Sequence, residues 1–284
     1  MSELRRSSYR NKHQRRGEGF DDDFITSGTT DEDCEIIKAF KGYACKLDAK
    51  WDKFERIVKL SRDVTIESKR IIFLLHQIDR ENNKPNMFNE AERRLDALIT
   101  HQLRSITKEL EKEDLYLYHR AFSPGMQEFM EAFLYFNYLK NKRLYELTYY
   151  QDKLKCSSVS ETESMLPDGK DMDKKQIKSI LVQSDLILGL ADATGEFMRK
   201  CINNLGTGNT EGSFETCSLV RNLYCGFLTI DLSGQKEMSR KTFTLKQSLL
   251  KMEMACYNVQ VRGSEYNHLV LDIDPSKTYV HEDK

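Results

Sequence analysis

The 284 residues carry 44 Lys+Arg against 45 Asp+Glu, a formal net charge of −1, and 39% of them are apolar. That apolar share can bury a sizeable core, which excludes wholesale disorder. Net neutrality excludes a bulk attraction to nucleic acid but leaves local patches open.

Residues 1–34 read as a tail of blocked charge. Arg5, Arg6, Arg10, Lys12, Arg15 and Arg16 come first, then Asp21, Asp22, Asp23, Asp31, Glu32 and Asp33. The pairs Arg5-Arg6 and Arg15-Arg16 suit either a nuclear localisation signal or a plain solvated tail. With no apolar stretch, this end is not expected to be a secretory signal. From Glu35, Ile36, Phe40, Ala44, Leu47, Trp51, Phe54 and Val58 recur at helical spacing. The spacing predicts a long helix to about Ile78, ended by Asn82-Asn83-Lys84-Pro85. A second helix is expected over 88–112, on the stripe Leu95, Leu98, Ile99, Leu103 and Ile106. A third begins near Asp114, with Ser123-Pro124 expected as a fresh N-cap and first helical residue, and Met126 to Tyr138 apolar on nearly every side.

Residues 151–175 are polar and read as a loop insertion. A strongly apolar helix is expected from Ile177 to about Leu205, closed by Gly206-Thr207-Gly208-Asn209. Two more fit 213–230 and 236–259, and 263–284 reads as a tail. No segment has a strand period. The expectation is an all-α single domain over 35–262, with about six or seven helices. No charge-free run reaches membrane length, so no membrane span is expected. Seven cysteines lack a Cys-x-x-Cys pair and read as reduced thiols in the cytoplasm or nucleus.

Four acids stand apart. Glu128 and Glu131 lie three apart in a stretch without Lys or Arg between Arg120 and Lys140. Asp192 and Glu196 lie four apart, and Asp192 has no basic residue within a helical turn. Each pair shares a helical face, with side chains roughly 5–6 Å apart. Such carboxylates in apolar surroundings take up a proton or bind a cation. If the two helices face each other, the oxygen ligands suit Mg²⁺ or Mn²⁺, which can activate water against a phosphodiester. The plainer alternative is that the acids line a groove or cap hydrogen bonds. Lys53, Arg56, Lys59, Arg62, Lys69 and Arg70 form a basic row on the first helix, either a track for an RNA backbone or the wet face of a helix. His119 and Arg120 are the basic residues nearest the acidic face, for substrate contact or for structure.

The run from Lys59 through Arg70 with Phe73-Leu74-Leu75-His76, the segment Gly189 to Arg199, Thr244-Leu245-Lys246-Gln247-Ser248-Leu249, and Ala255-Cys256-Tyr257 through Val261 to Glu265 resemble the translin family over about 36–265. Within it the chain is similar to the subunit that assembles with translin. The resemblance implies an all-α fold and a hetero-oligomer in which translin is in excess. It implies an Mg²⁺-dependent endoribonuclease that removes nicked passenger strands of small interfering RNA and so activates the RNA-induced silencing complex. It also places the catalytic carboxylates on Glu128, Glu131, Asp192 and Glu196, with Glu131 and Glu196 as metal ligands. The competing expectation is a non-catalytic adaptor that stabilises translin and directs it to the nucleus. Ser123-Pro124 departs from the family pattern and is expected to kink the third helix.

Overall fold

A computed structural model describes residues 35–78, 84–111, 113–156, 180–230 and 236–262. The Arg pairs of the proposed nuclear signal, both tails and residues 157–179 lie outside the described residues. The helices are α1 (Glu35–Gln77), α2 (Lys84–Leu98), α3 (Arg104–Glu109), α4 (His119–Asn141), α5 (Leu147–Cys156), α6 (Gln183–Gly206), α7 (Thr210–Leu228) and α8 (Lys236–Arg262). A π-helical turn, Ile99–Leu103, joins α2 to α3 in one run, so the described residues form seven helical rods and no strand. The all-α expectation holds.

Contacts divide the chain between Ala49 and Lys50. The described part of the first unit, 35–49, is helical, with Ile36, Phe40, Tyr43 and Leu47 all more than half exposed. The stripe that predicts α1 in the sequence is therefore open over its first part. α1 instead buries Ile57, Ser61, Val64, Ser68, Ile71, Ile72 and Leu75, again at helical spacing but further along. Of the expected stripe, Phe54 and Val58 pack against the core, whereas Trp51 stays exposed.

The core of the second unit is centred on α6, which packs against α4, α7 and α8. α4 has the broadest buried surface, with Phe122, Met126, Phe129, Met130, Phe133, Leu134 and Tyr135 all inside. A helix apolar on nearly every side has to be covered on nearly every side. Leu95, Leu98, Ile99, Leu103 and Ile106 are buried as expected. The π turn falls among hydroxyls that bond back to the carbonyl four residues earlier: Thr100 to Asp96 at 2.7 Å, Ser105 to His101 at 2.7 Å and Thr107 to Leu103 at 2.9 Å. Such bonds compete with the α ladder and distort it.

Three boundaries differ from expectation, the first being α6, which starts at Gln183 after non-helical residues 180–182 rather than at Ile177. α5 occupies 147–156, so the first residues of the expected loop are helical, anchored by Tyr150, which is fully buried. α4 starts at His119, and Pro124 lies inside it. Ser123 is therefore not an N-cap; its hydroxyl donates to buried Asp185 on α6 at 2.6 Å. α1 supports this proline-bearing turn: the Gly125 N–H donates to Ser61 Oγ at 3.1 Å, and Ser61 Oγ donates to the Phe122 carbonyl at 3.3 Å. A Cβ on Gly125 would lie 2.5 Å from the Ser61 carbonyl oxygen, so the approach of α1 requires glycine there.

A carboxylate cluster at the crossing of two helices

A second glycine sets the acidic face. A Cβ on Gly189 would lie 2.7 Å from Met130 Cβ and 2.9 Å from the Gln127 carbonyl oxygen. Its absence lets α6 close onto α4 beside Glu131, whose backbone N would lie 3.4 Å from that Cβ. The spacing of three on α4 gives Glu128 and Glu131 one face, and the spacing of four on α6 does the same for Asp192 and Glu196.

Glu131 registers the convergence. Burial first, then the charges of Asp192, Glu128 and Glu196, push its carboxyl from 4.5 up to about 8, against the smaller pull of Lys241. Without a bound cation, Glu131 therefore keeps its proton at neutral pH. The other three acids have cationic or imidazole partners. Lys69 Nζ is 3.0 Å from Glu128 Oε1, and that hydrogen bond raises the Lys69 pKa. Lys241 Nζ donates to Asp192 Oδ2 at 2.6 Å, and also to Gln127 Oε1 at 3.0 Å and the Leu188 carbonyl at 3.5 Å. His76 Nε2 bonds Glu196 Oε2, while Tyr135 OH and His76 Nδ1 are 3.2 Å apart. If the tyrosine donates there, Nδ1 is the acceptor and Nε2 carries the proton toward Glu196. Arg199 reaches the same Glu196 oxygen at 3.3 Å.

His76, Tyr135, Gln127 and Lys241 escaped the sequence reading, because they lie up to 120 positions from their partners and no spacing links them. Lys69 carries a basic residue's signal, but the sequence placed it among residues for RNA. The structure places the others of that group elsewhere. Lys53 pairs with Glu113 at 2.6 Å and Arg56 binds Glu109 through two nitrogens at 3.1 Å, so they tie α1 to the turn after α3 and to the end of α3. Lys59, Arg62 and Arg120 have no ion-pair partner among the described residues. Arg70 pairs with Glu67 at 3.2 Å and lines a groove of about 660 Å³ with Arg94 and His101. His119 is not in the acidic cluster. Its Nε2 is 2.9 Å from Oδ2 of Asp185, whose other oxygen accepts from Ser123. Gln127 donates to Ser123 Oγ at 2.9 Å, so a hydrogen-bonded chain runs from His119 through Asp185, Ser123 and Gln127 to Lys241.

Among the described residues, no group of three or more His, Cys, Asp or Glu side chains is arranged to hold a metal ion as the side chains stand. Their oxygens are turned toward Lys69, Lys241 and His76. The donor set is nonetheless all oxygen and includes one uncompensated, half-buried acid, Glu131. In chemistry that fits a hard divalent cation, provided these pairs re-orient. No helix among the described residues is long and apolar enough to cross a membrane.

A sequence profile of the Translin family matches residues 52–263. Translin-associated protein X of Mus musculus is 40% identical over 247 residues, covering 86% of this chain and 85% of the relative. The translin-associated protein X homolog of Schizosaccharomyces pombe is 28% identical over 245 residues, covering 84% and 94%. Two solved structures share the fold. Apo-NeC3PO has a TM-score of 0.56 at 20% identity, covering 81% of this chain and 98% of that one. AfC3PO in complex with duplex RNA has a TM-score of 0.56 at 16% identity, covering 79% and 98%.

Proposed function

The chain belongs to the translin family, and from that premise we propose that it is the metal-dependent endoribonuclease subunit of a hetero-oligomer with translin. Its substrates are short or single-stranded RNA, including the nicked passenger strand whose removal activates the RNA-induced silencing complex. The observation that carries the reading is Glu131: a carboxyl held near pKa 8 by burial and three neighbouring acids. A purely structural helix crossing has no use for an acid so placed, whose ionised form a divalent cation would stabilise.

Glu131 and Glu196 would hold Mg²⁺, or Mn²⁺ in its place, with Glu128 and Asp192 completing the site or orienting the attacking water. When bound, the ion lowers the pKa of a water and stabilises charge on the phosphodiester. The chain's own residues do the rest. His76 and Tyr135 hold Glu196 in one orientation. Lys69 is 62% exposed, so it can leave Glu128 for a phosphate at small cost. Lys59 and Arg62, exposed along the same helix, extend a basic track for the RNA backbone. RNA cleavage by the co-expressed complex tests the reading: it should need Mg²⁺, stop in EDTA, and disappear in Glu131→Ala and Glu196→Ala complexes that still assemble. Full activity in those variants refutes it.

One observation favours a second reading. Three of the four acids already have cationic or imidazole partners, and none of the described groups is preset for an ion. A non-catalytic adaptor that stabilises translin and carries it to the nucleus would need no more. Cleavage that is absent, or indifferent to EDTA, in an intact complex selects this reading.

A further inference from the structure

We propose that Lys241 is the internal counter-ion of the acidic cluster, a positioning residue that acts through Asp192. The inference rests on the metal reading above and names the residue that opposes the metal at that site. Lys241 sits on α8, 49 positions from Asp192, and its side chain is only 14% exposed. An ammonium has three N–H donors. Asp192 Oδ2, Gln127 Oε1 and the Leu188 carbonyl accept all three, so no donor is left for an RNA phosphate. Two of the acceptors come from α6 and one from α4, so a single ammonium ties α8 to both sides of the acidic face.

The tie is set by the close helix approach already described. Leu188 precedes Gly189, and Gln127 supplies the backbone oxygen that leaves no room for a Cβ there. The contrast with Lys69 is direct. Lys69 is 62% exposed, where ion pairs give way easily, whereas Lys241, at 14%, holds its carboxylate from a part-buried position. Its positive charge balances Asp192 and bears on Glu131 as well. Lys241 therefore keeps Asp192 aimed across the cluster and lowers the attraction of the resting site for a dication. Removing the charge should strengthen that attraction.

The test uses the complex with translin, stripped with EDTA. Mn²⁺ uptake is followed by the electron paramagnetic resonance of the free ion, and melting is recorded in parallel. Lys241→Met keeps the aliphatic stem and removes the charge. It should bind Mn²⁺ roughly tenfold tighter or more. Asp192→Asn should bind it more weakly, and the double variant D192N/K241M should return to within about tenfold of the starting protein. The double variant should also melt higher than D192N alone, because D192N leaves a part-buried ammonium without its carboxylate. Unchanged or weaker Mn²⁺ binding by K241M, or strictly additive melting shifts, overturns the proposal. If the unaltered complex takes up no Mn²⁺, the metal reading fails, and the melting comparison still decides whether Lys241 is the partner Asp192 depends on.

Discussion

Glu131→Gln is expected to make the protein more stable while abolishing its cleavage of RNA. The carboxyl ordinarily titrates at 4.5 and is pushed up to about 8 in the fold. Between those values the unfolded chain has released the proton and the folded chain retains it. The folded state therefore binds more protons, and stability falls as pH rises from about 4.5 to about 8, then levels off. At about 1.4 kcal/mol per pH unit, the interval from 4.5 to pH 7 corresponds to roughly 3 kcal/mol of destabilisation. Glutamine has the same shape and no charge to bury, so it removes that penalty. Melting in EDTA between pH 5 and pH 8.5 should show the variant gaining steadily over the unaltered complex. At about 2–4 °C per kcal/mol, the gain near pH 7 is on the order of 5–10 °C. Saturating Mn²⁺ should close the gap from the other side, because the cation stabilises the unaltered site alone. Parallel pH profiles for the two proteins, or a lower melting temperature for the variant throughout, would refute the account of Glu131 as an uncompensated, half-buried acid.

Other substitutions test the scaffold. Gly189→Ala places a methyl where Met130 and the Gln127 carbonyl already stand, and should cost about 1–3 kcal/mol by overpacking; denaturant unfolding reads it, and cleavage should fall as the two acidic pairs are forced apart. Asp185→Ala removes the acceptor shared by His119 and Ser123 at a fully buried position, and should cost about 2–4 kcal/mol in the same assay. Phe40→Asp with Leu47→Asp alters side chains that are 68% and 66% exposed, so the helix content should be unchanged by circular dichroism. Exposed apolar rows of this kind mark contact surfaces, and the double variant should no longer co-purify with translin; unimpaired co-purification contradicts that role.

Much of the fold was legible in the chain because helical periodicity is a local property. The stripe Leu95, Leu98, Ile99, Leu103 and Ile106 faces the core as its spacing required, and the breakers at 82–85 and 206–209 stand beside helix ends. Periodicity says that a face is apolar, not what covers it. The stripe from Ile36 to Leu47 is as regular as the buried one, yet lies open within its unit. The proline rule failed at Ser123-Pro124 for a related reason. The serine hydroxyl that would have capped a helix is taken by Asp185, 62 residues away, and α1 supports the turn instead. α5 was missed because half of its ten residues are polar, and what holds it to the core is the pair of buried side chains Tyr150 and Leu154.

The same division runs through the acidic cluster. Sequence alone determined that Glu128 with Glu131, and Asp192 with Glu196, share helical faces, and that of the four only Glu196, with Arg199 one turn on, has a cation nearby in the chain, since both follow from spacing along one helix. Only the tertiary structure decided that Gly189 brings the two faces together. It also decided that Lys69, His76 and Lys241 arrive from α1 and α8 to partner three of the acids. Glu131 is left as the one acid of the four without a described ion-pair partner, and its raised pKa is a property of no local segment. Charge acts through space and burial, and both are set by which helices pack together, so an acid that looks stranded in the chain becomes paired or remains uncompensated only once the bundle has closed.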